Sequence, residues 1–109
     1  MLPFSINIEQ KIQEITTPWS PVDLVVFNDS IVRLALFHGE YHWHVHEQED
    51  ELFYVHRGEI IIQIRGGPDI SLREGQMAVV QKGIEHCPKS EDPSYVLMFE
   101  PAVLKSRGK

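Results

Sequence analysis

From Val22 onward the chain is cut into short β-branched and aromatic runs separated by turn residues, and this spacing limits its fold more than any other feature. The runs cover residues 23–27, 31–37, 41–46, 52–56, 60–65, 70–72, 77–81 and 94–99. Between them stand Asn28-Asp29, Gly39, Arg57-Gly58, Gly66-Gly67-Pro68-Asp69, Glu74-Gly75 and Lys82-Gly83, with Pro101 closing the series. Short strands at intervals of about 8–12 residues with glycine at the turns predict an all-β sandwich or barrel. No stretch offers the crossover helices that a parallel sheet needs.

Ahead of this region, Ile8, Ile12 and Ile15 fall at helical spacing, Asn7 can cap, and Gln10 stands where a capping box puts its partner. A short helix is expected here, ending before Pro18, because proline removes a donor and restricts the residue before it. The TPWSP stretch over 17–21 reads as an extended connection that Trp19 anchors to the body. The expected organisation is therefore residues 1–21 as helix and connecting segment, and 22–109 as one β-barrel domain.

At 109 residues the chain fits a single domain, and 42% hydrophobic with 24% charged residues is globular composition. The net charge of −6, with a pI of about 5.4, gives no electrostatic attraction to a phosphate backbone or an anionic membrane surface. Neither nucleic acid nor membrane is expected as a partner. No run approaches the roughly 20 apolar residues of a membrane span, and the opening MLPFSINIEQ lacks signal-peptide character. The single cysteine, Cys87, excludes a disulfide framework and a multi-thiolate zinc site, and fits a cytoplasmic location.

Histidine is over-represented. His38, His42, His44, His46, His56 and His86 all lie in the middle of the chain. In YHWHVH, His42, His44 and His46 alternate with Trp43 and Val45, so on a strand the three imidazoles share one face. Alternate residues are roughly 6.6 Å apart, a gap that two imidazoles bridge by converging on one ion. The outer pair is twice as far apart. Whichever neighbouring pair chelates, His44 belongs to it; the competing reading is a solvated polar strand face.

Further along, Glu51, Gly58, Gly75, Gly83 and His86 follow in an ordered pattern. With these residues the sequence resembles the cupin superfamily. The first motif of that family is a glycine, about five residues, His-x-His, three or four residues, Glu, six residues, Gly. Gly39, His44, His46, Glu51 and Gly58 reproduce it, with four residues after the first glycine. Gly75, Gly83 and His86 reproduce the frame of the second motif, with Gln81 at its proline and Ser90 at its asparagine. A frame built on His42, His44 and Glu49 would require glycine at position 56, which is histidine. The resemblance therefore implies His44, His46, Glu51 and His86 as metal ligands, and leaves His42 as a neighbouring residue and a weak catalytic candidate. Glu47, Glu49 and Asp50 read as solvated loop charges, and His38 and His56 as surface or packing residues. Cys87 alternates away from His86 and reads as packed.

What the resemblance implies is a conical jelly-roll barrel with one divalent metal near its mouth, and frequently a homodimer. Imidazole and carboxylate donors without sulfur suit iron(II), manganese, nickel, copper or zinc. Four protein ligands saturate tetrahedral zinc but leave two positions open on an octahedral ion. Consecutive Ile60, Ile61 and Ile62 read as a strand buried on both faces, which fits a partner subunit. Phe53 and Val55, on the face of Glu51, are expected to make the cavity apolar and suited to a small, partly hydrophobic ligand. The expected function is a mononuclear metal enzyme acting on a small molecule, of dioxygenase or isomerase/lyase type. The alternatives are a non-catalytic ligand-binding or sensing module, and a metal that only staples a small core.

Overall fold

The computed structural model describes residues 4–102, so the ends of the two expected units, 1–3 and 103–109, lie outside the described residues. One helix, α1 (Ile8–Ile12), precedes seven strands: β1 (Val22–Phe27), β2 (Ser30–Glu40), β3 (Glu51–Arg57), β4 (Glu59–Ile64), β5 (Ile70–Arg73), β6 (Met77–Val80) and β7 (His86–Pro101). All pairings are antiparallel. The larger layer has the order β1-β2-β7-β3-β6, and the β4–β5 hairpin pairs with the opening residues of β7. This is the all-β jelly-roll arrangement that the strand spacing and the resemblance led one to expect.

Strand alternation builds two apolar faces. Ala35, Phe37, Phe53, Val55, Ile60, Ile62, Leu72, Val80, Val96 and Met98 fill the barrel interior. On the outer face of the larger layer, Val32, Leu34 and Leu97 pack with Ile12 of α1, and Ile8, Ile15, Tyr54, Tyr95 and Phe99 border them. The helix starts as its sequence indicates, since the Asn7 side-chain oxygen accepts from the Gln10 backbone N–H at 3.0 Å. Glu9 on the exposed side of α1 accepts from Arg57 and pairs with His56 Nε2 at 2.8 Å, so His56 helps to seat the helix. Trp19 anchors the connection as expected. Its ring centroid lies 4.5 Å from that of Phe37 and 4.9 Å from that of Tyr41, and its indole N–H donates to the His38 carbonyl at 3.0 Å.

Three local expectations differ from the structure. Residues 41–46 are not a strand: β2 ends at Glu40, beyond Gly39 at a φ of 83°, and only His44 forms a bridge, with His86. The 94–99 strand is instead the tail of the 16-residue β7. Its first part, His86–Lys89, pairs with β4, and its last part, from Ser94, pairs with β2 and β3. Ile60 and Ile62 are buried, whereas Ile61 on the other face is half-buried, so β4 alternates. No helix among the described residues is long and apolar enough to cross a membrane.

Candidate metal centre

The histidine segment is held across the barrel end by a reciprocal bridge. His44 N–H donates to the His86 carbonyl at 3.0 Å, and His86 N–H donates to the His44 carbonyl at 2.9 Å. The next turn is fastened to the same segment, because the Gly83 N–H donates to the His46 carbonyl at 2.9 Å and the Lys82 N–H donates to Asp50 Oδ1 at 2.8 Å. Two distant pieces of sequence, 44–46 and 86, are thereby fixed side by side. Glu51 joins them as the first residue of β3, sharing its inward face with Phe53 and Val55.

One ligand atom each from His44, Glu51 and His86 lies within 4.8 Å of the others, and all three residues are buried. The His44 and His86 ring centroids are 4.4 Å apart. His46 borders this group: its ring lies 5.1 Å from that of His44, and its Nε2 is 3.5 Å from Glu51 Oε1. His42 stands outside the group, its ring against Tyr41 at 3.9 Å and at 5.4 Å from the His44 ring. Exposed Glu47 and half-buried Glu49 lie in the loop, and exposed Asp50 is the loop's tie to Lys82. Trp43 is half-buried, with the Arg65 guanidinium 4.2 Å above its ring.

The hydrogen bonds settle which nitrogens face inward. His44 Nδ1 is 3.0 Å from the His42 carbonyl, and His86 Nδ1 is 2.8 Å from the Ile84 carbonyl. A carbonyl only accepts, so both Nδ1 atoms carry the proton and both Nε2 atoms present lone pairs. The same device, a ring bonded to the carbonyl two residues back, is used twice. Nε2 of His46 and of His86 and Oε2 of Glu51 are buried and have no hydrogen-bond partner. Buried polar atoms are ordinarily paired, because an unpaired one costs about 1–3 kcal/mol.

Burial acts on the protonation of the whole cluster. It pulls His44 down to about 4, and it lowers His46 and His86 as well, so all three imidazoles are neutral at neutral pH. Neutral imidazole is the form that binds metals. Burial also raises Glu51, disfavouring its carboxylate, and a bound dication would reverse that. The donor set, its tautomers and its unpaired atoms fit a divalent ion.

Trp19, Pro21, Ala35, Phe37, Tyr41 and Phe53 line a cavity that reaches His44 and Glu51. Its free interior is about 20 Å³, room for a single water molecule. Its walls are as apolar and aromatic as the sequence suggested, with Phe53 on the expected face.

Sequence reasoning missed Glu100 and Arg33. Glu100 is 3% exposed, the β3–β7 register sets it beside Glu51, and Arg33 Nη1 donates to its Oε1. Arg33 Nε donates to Asp23 Oδ1 at 2.9 Å. Burial first, and then the adjacent Glu51 carboxyl, push Glu100 up to about 8 against the pull of Arg33. The signal was available in strand parity. Glu100 continues the inward row of Val96 and Met98, and Arg33 interrupts that of Ile31, Ala35 and Phe37.

The match to known proteins agrees with this geometry. The cupin-domain family model matches residues 33–100, and the chain belongs to that family. A cupin-2 domain protein from Shewanella frigidimarina is 34% identical and superposes with a TM-score of 0.85 over 88% of this chain and 93% of that one. Protein NMB1881 from Neisseria meningitidis is 28% identical, with a TM-score of 0.84 over 91% of this chain and all of that one. Among curated proteins, an uncharacterized protein of Bacillus subtilis, YdbB, is 41% identical over 63 residues. That match covers 58% of this chain, which thus spans 56% of the length of that relative.

Proposed function

We propose that His44, His46, Glu51 and His86 hold one divalent metal ion, and that the chain is a mononuclear metal enzyme acting on a small molecule, of dioxygenase or isomerase/lyase type. The observation that carries the reading is that one ligand atom each of His44, Glu51 and His86 lies within 4.8 Å of the others, with Nδ1 of His44 and of His86 committed to a backbone carbonyl and with Nε2 of His46 and of His86 and Oε2 of Glu51 buried without a hydrogen-bond partner. An iron, manganese or nickel ion held there by His44, His46, Glu51 and His86 would supply Lewis acidity or redox chemistry. The chain's own residues do the rest. The carbonyls of His42 and Ile84 orient two imidazoles. Glu51 supplies the anionic charge that offsets the dication. Trp19, Phe37, Tyr41 and Phe53 exclude bulk water and select a small, partly hydrophobic ligand. His42, half-buried next to His44, is the candidate for proton transfer. Cytoplasmic residence, supported by one buried cysteine, belongs to the same proposal, as does a homodimer, supported by half-buried Ile61 and by Met77 and Val79 exposed on β6. A sedimentation measurement giving a monomer at micromolar concentration would remove the dimer.

The narrow cavity favours a second reading, a metal-containing binding or sensing module, since a volume of about 20 Å³ accommodates a substrate only after Trp19 or Tyr41 yields. Metal analysis of protein purified anaerobically from its native source, with turnover and oxygen-uptake assays on small acids, thiols and phenols, separates the two. The enzyme reading expects one iron, manganese or nickel per chain and turnover of at least one class. Zinc at full occupancy with no turnover would leave the binding or structural roles.

A further inference from the structure

Trp19 sits on a backbone that disfavours it. Its φ is 61°, in the left-handed region that a bulky side chain rarely adopts. In that conformation the indole lies against Phe37 and Tyr41, with ring centroids at 4.5 and 4.9 Å and its plane 29° from that of Tyr41. All three rings line the cavity that reaches His44 and Glu51, whose free interior is about 20 Å³. Sites for drug-sized ligands are about 300–1,000 Å³, so an aromatic ring has to move before anything larger than water enters. Tyr41 is tied to the metal-facing segment: its N–H donates to the Pro88 carbonyl at 3.0 Å, and its ring lies 3.9 Å from that of His42 and 5.4 Å from that of His44. Moving it would disturb His44. Trp19 instead stands between α1 and β1 on a segment that joins no ladder, with prolines at 18 and 21 that lack the N–H to join one. Two hydrogen bonds tie it to β2, from its backbone N–H to the Leu36 carbonyl at 2.9 Å and from its indole N–H to the His38 carbonyl at 3.0 Å. Thr16, Thr17 and Ser20 around it are exposed, so the half-buried indole can turn out to solvent without opening a strand pair.

We propose that the space Trp19 fills is the small-molecule subsite of this cavity, and that Trp19 is its gate: a flat, uncharged ring carrying an oxygen donor, of the phenol class, takes the place of the indole against Phe37 and Tyr41 while the 17–21 segment carries the indole out to solvent. The class follows from the walls. The slot already holds a flat aromatic ring, and aromatic side chains favour another in offset or edge contact. Among the described residues that line the cavity none is lysine or arginine, so a second ionised group on the guest would find no counter-charge. The oxygen donor is what a metal held by His44 and Glu51 would engage, and that part rests on the metal reading above. The strained backbone of Trp19 is the cost of keeping the gate shut, and it is released when the segment swings out.

The test is a phenol titration of full-length protein labelled with 5-fluorotryptophan, chelator-stripped and cobalt-loaded, followed by fluorine NMR. Trp19 and Trp43 are the two tryptophans, and a Trp43→Phe variant assigns their signals. Wild type is expected to take up phenol saturably in at least one form, with the Trp19 signal moving toward its position in denatured protein and the Trp43 signal staying. A gate shut in about nine-tenths of molecules or more weakens the apparent affinity about tenfold or more, so Trp19→Ala is expected to bind phenol at least about tenfold tighter by calorimetry. Cyclohexanol, with the same donor on a puckered ring, is expected to bind about 2–10-fold weaker than phenol. No uptake of phenol by wild type in either form, uptake with the Trp19 signal unmoved, or Trp19→Ala no tighter than wild type overturns the gate, and cyclohexanol equal to phenol overturns the ligand class. Failure to bind cobalt, with the stripped protein behaving as expected, removes the metal reading and leaves the subsite standing. If Trp19→Ala does not fold, Trp19→Leu takes its place, with the same outcomes.

Discussion

Replacing Gly58 by alanine should be among the most damaging single-methyl changes in the protein. Gly58 joins β3 to β4 at a φ of 98°, outside the range that L-residues with a side chain adopt at little cost. A Cβ there would lie 2.7 Å from Ser94 Cβ and 2.9 Å from Ser94 Cα, and nearer still to the Ser94 hydroxyl. Ser94 cannot step aside freely. It is 1% exposed, its hydroxyl accepts from the Glu59 N–H at 3.0 Å, donates to the Glu59 carbonyl at 3.1 Å, and lies 2.8 Å from Ser90 Oγ. Backbone strain of about 1–2 kcal/mol, overpacking of about 1–3 kcal/mol and a weakened hydrogen bond of about 1 kcal/mol give a loss of roughly 3–6 kcal/mol. A chain of this size has roughly 5–15 kcal/mol in total, so urea melts should show a markedly lower midpoint and thermal melts a drop of about 12–25 °C. Gly39→Ala is the control. Gly39 also has positive φ, at 83°, but open space where the methyl would go, so it pays only the strain of about 1–2 kcal/mol. If Gly58→Ala costs no more than Gly39→Ala, close approach to Ser94 is not why glycine stands there.

The buried histidines make metal-free stability depend on pH in a way that one variant isolates. Folded His44 stays neutral down to about pH 4, while the unfolded chain protonates it near its ordinary 6.5. Its contribution is therefore complete above about pH 6.5 and is lost as the pH falls toward 4. Chemical denaturation of metal-free wild type and His44→Gln should show the wild type losing up to about 3 kcal/mol relative to the variant between pH 7 and 4. A flat difference or the opposite slope contradicts the burial argument. Cys87, with no exposed surface and a thiol raised by burial, should resist an aromatic disulfide reagent in the native state and react fully in guanidinium; rapid native-state reaction would show that it is not packed.

Local chemistry made much of this molecule readable from sequence. The strand-and-turn texture yielded the class and most strands, since alternation is a property of neighbouring residues. The family spacing implied His44, His46, Glu51 and His86 as one set, and one ligand atom each of His44, Glu51 and His86 lies within 4.8 Å of the others. Three features escaped for a common reason, in that they depend on what lies across the barrel. Residues 41–46 alternate perfectly yet find a ladder partner only at His44, because β2 ends at Glu40, just past the positive φ of Gly39. The CPKSEDP stretch, with its charges and two prolines, reads as a loop. It nevertheless runs within β7, where Ser90 and Ser94 bond the Glu59 carbonyl. Glu100 and Arg33 carry no motif of their own in the sequence. Strand parity gives their inward face, and the register of β2, β7 and β3 adds their place beside Glu51.

X-ray absorption at the metal edge, on full-length protein loaded with one manganese, iron or cobalt ion per chain, most directly examines the proposed four-ligand centre. The expected first shell contains three imidazoles and one carboxylate with no sulfur, and His86→Ala should lose one imidazole from it. A shell of light scatterers without imidazole signatures, a sulfur ligand, or a spectrum unchanged in His86→Ala would contradict the proposed centre.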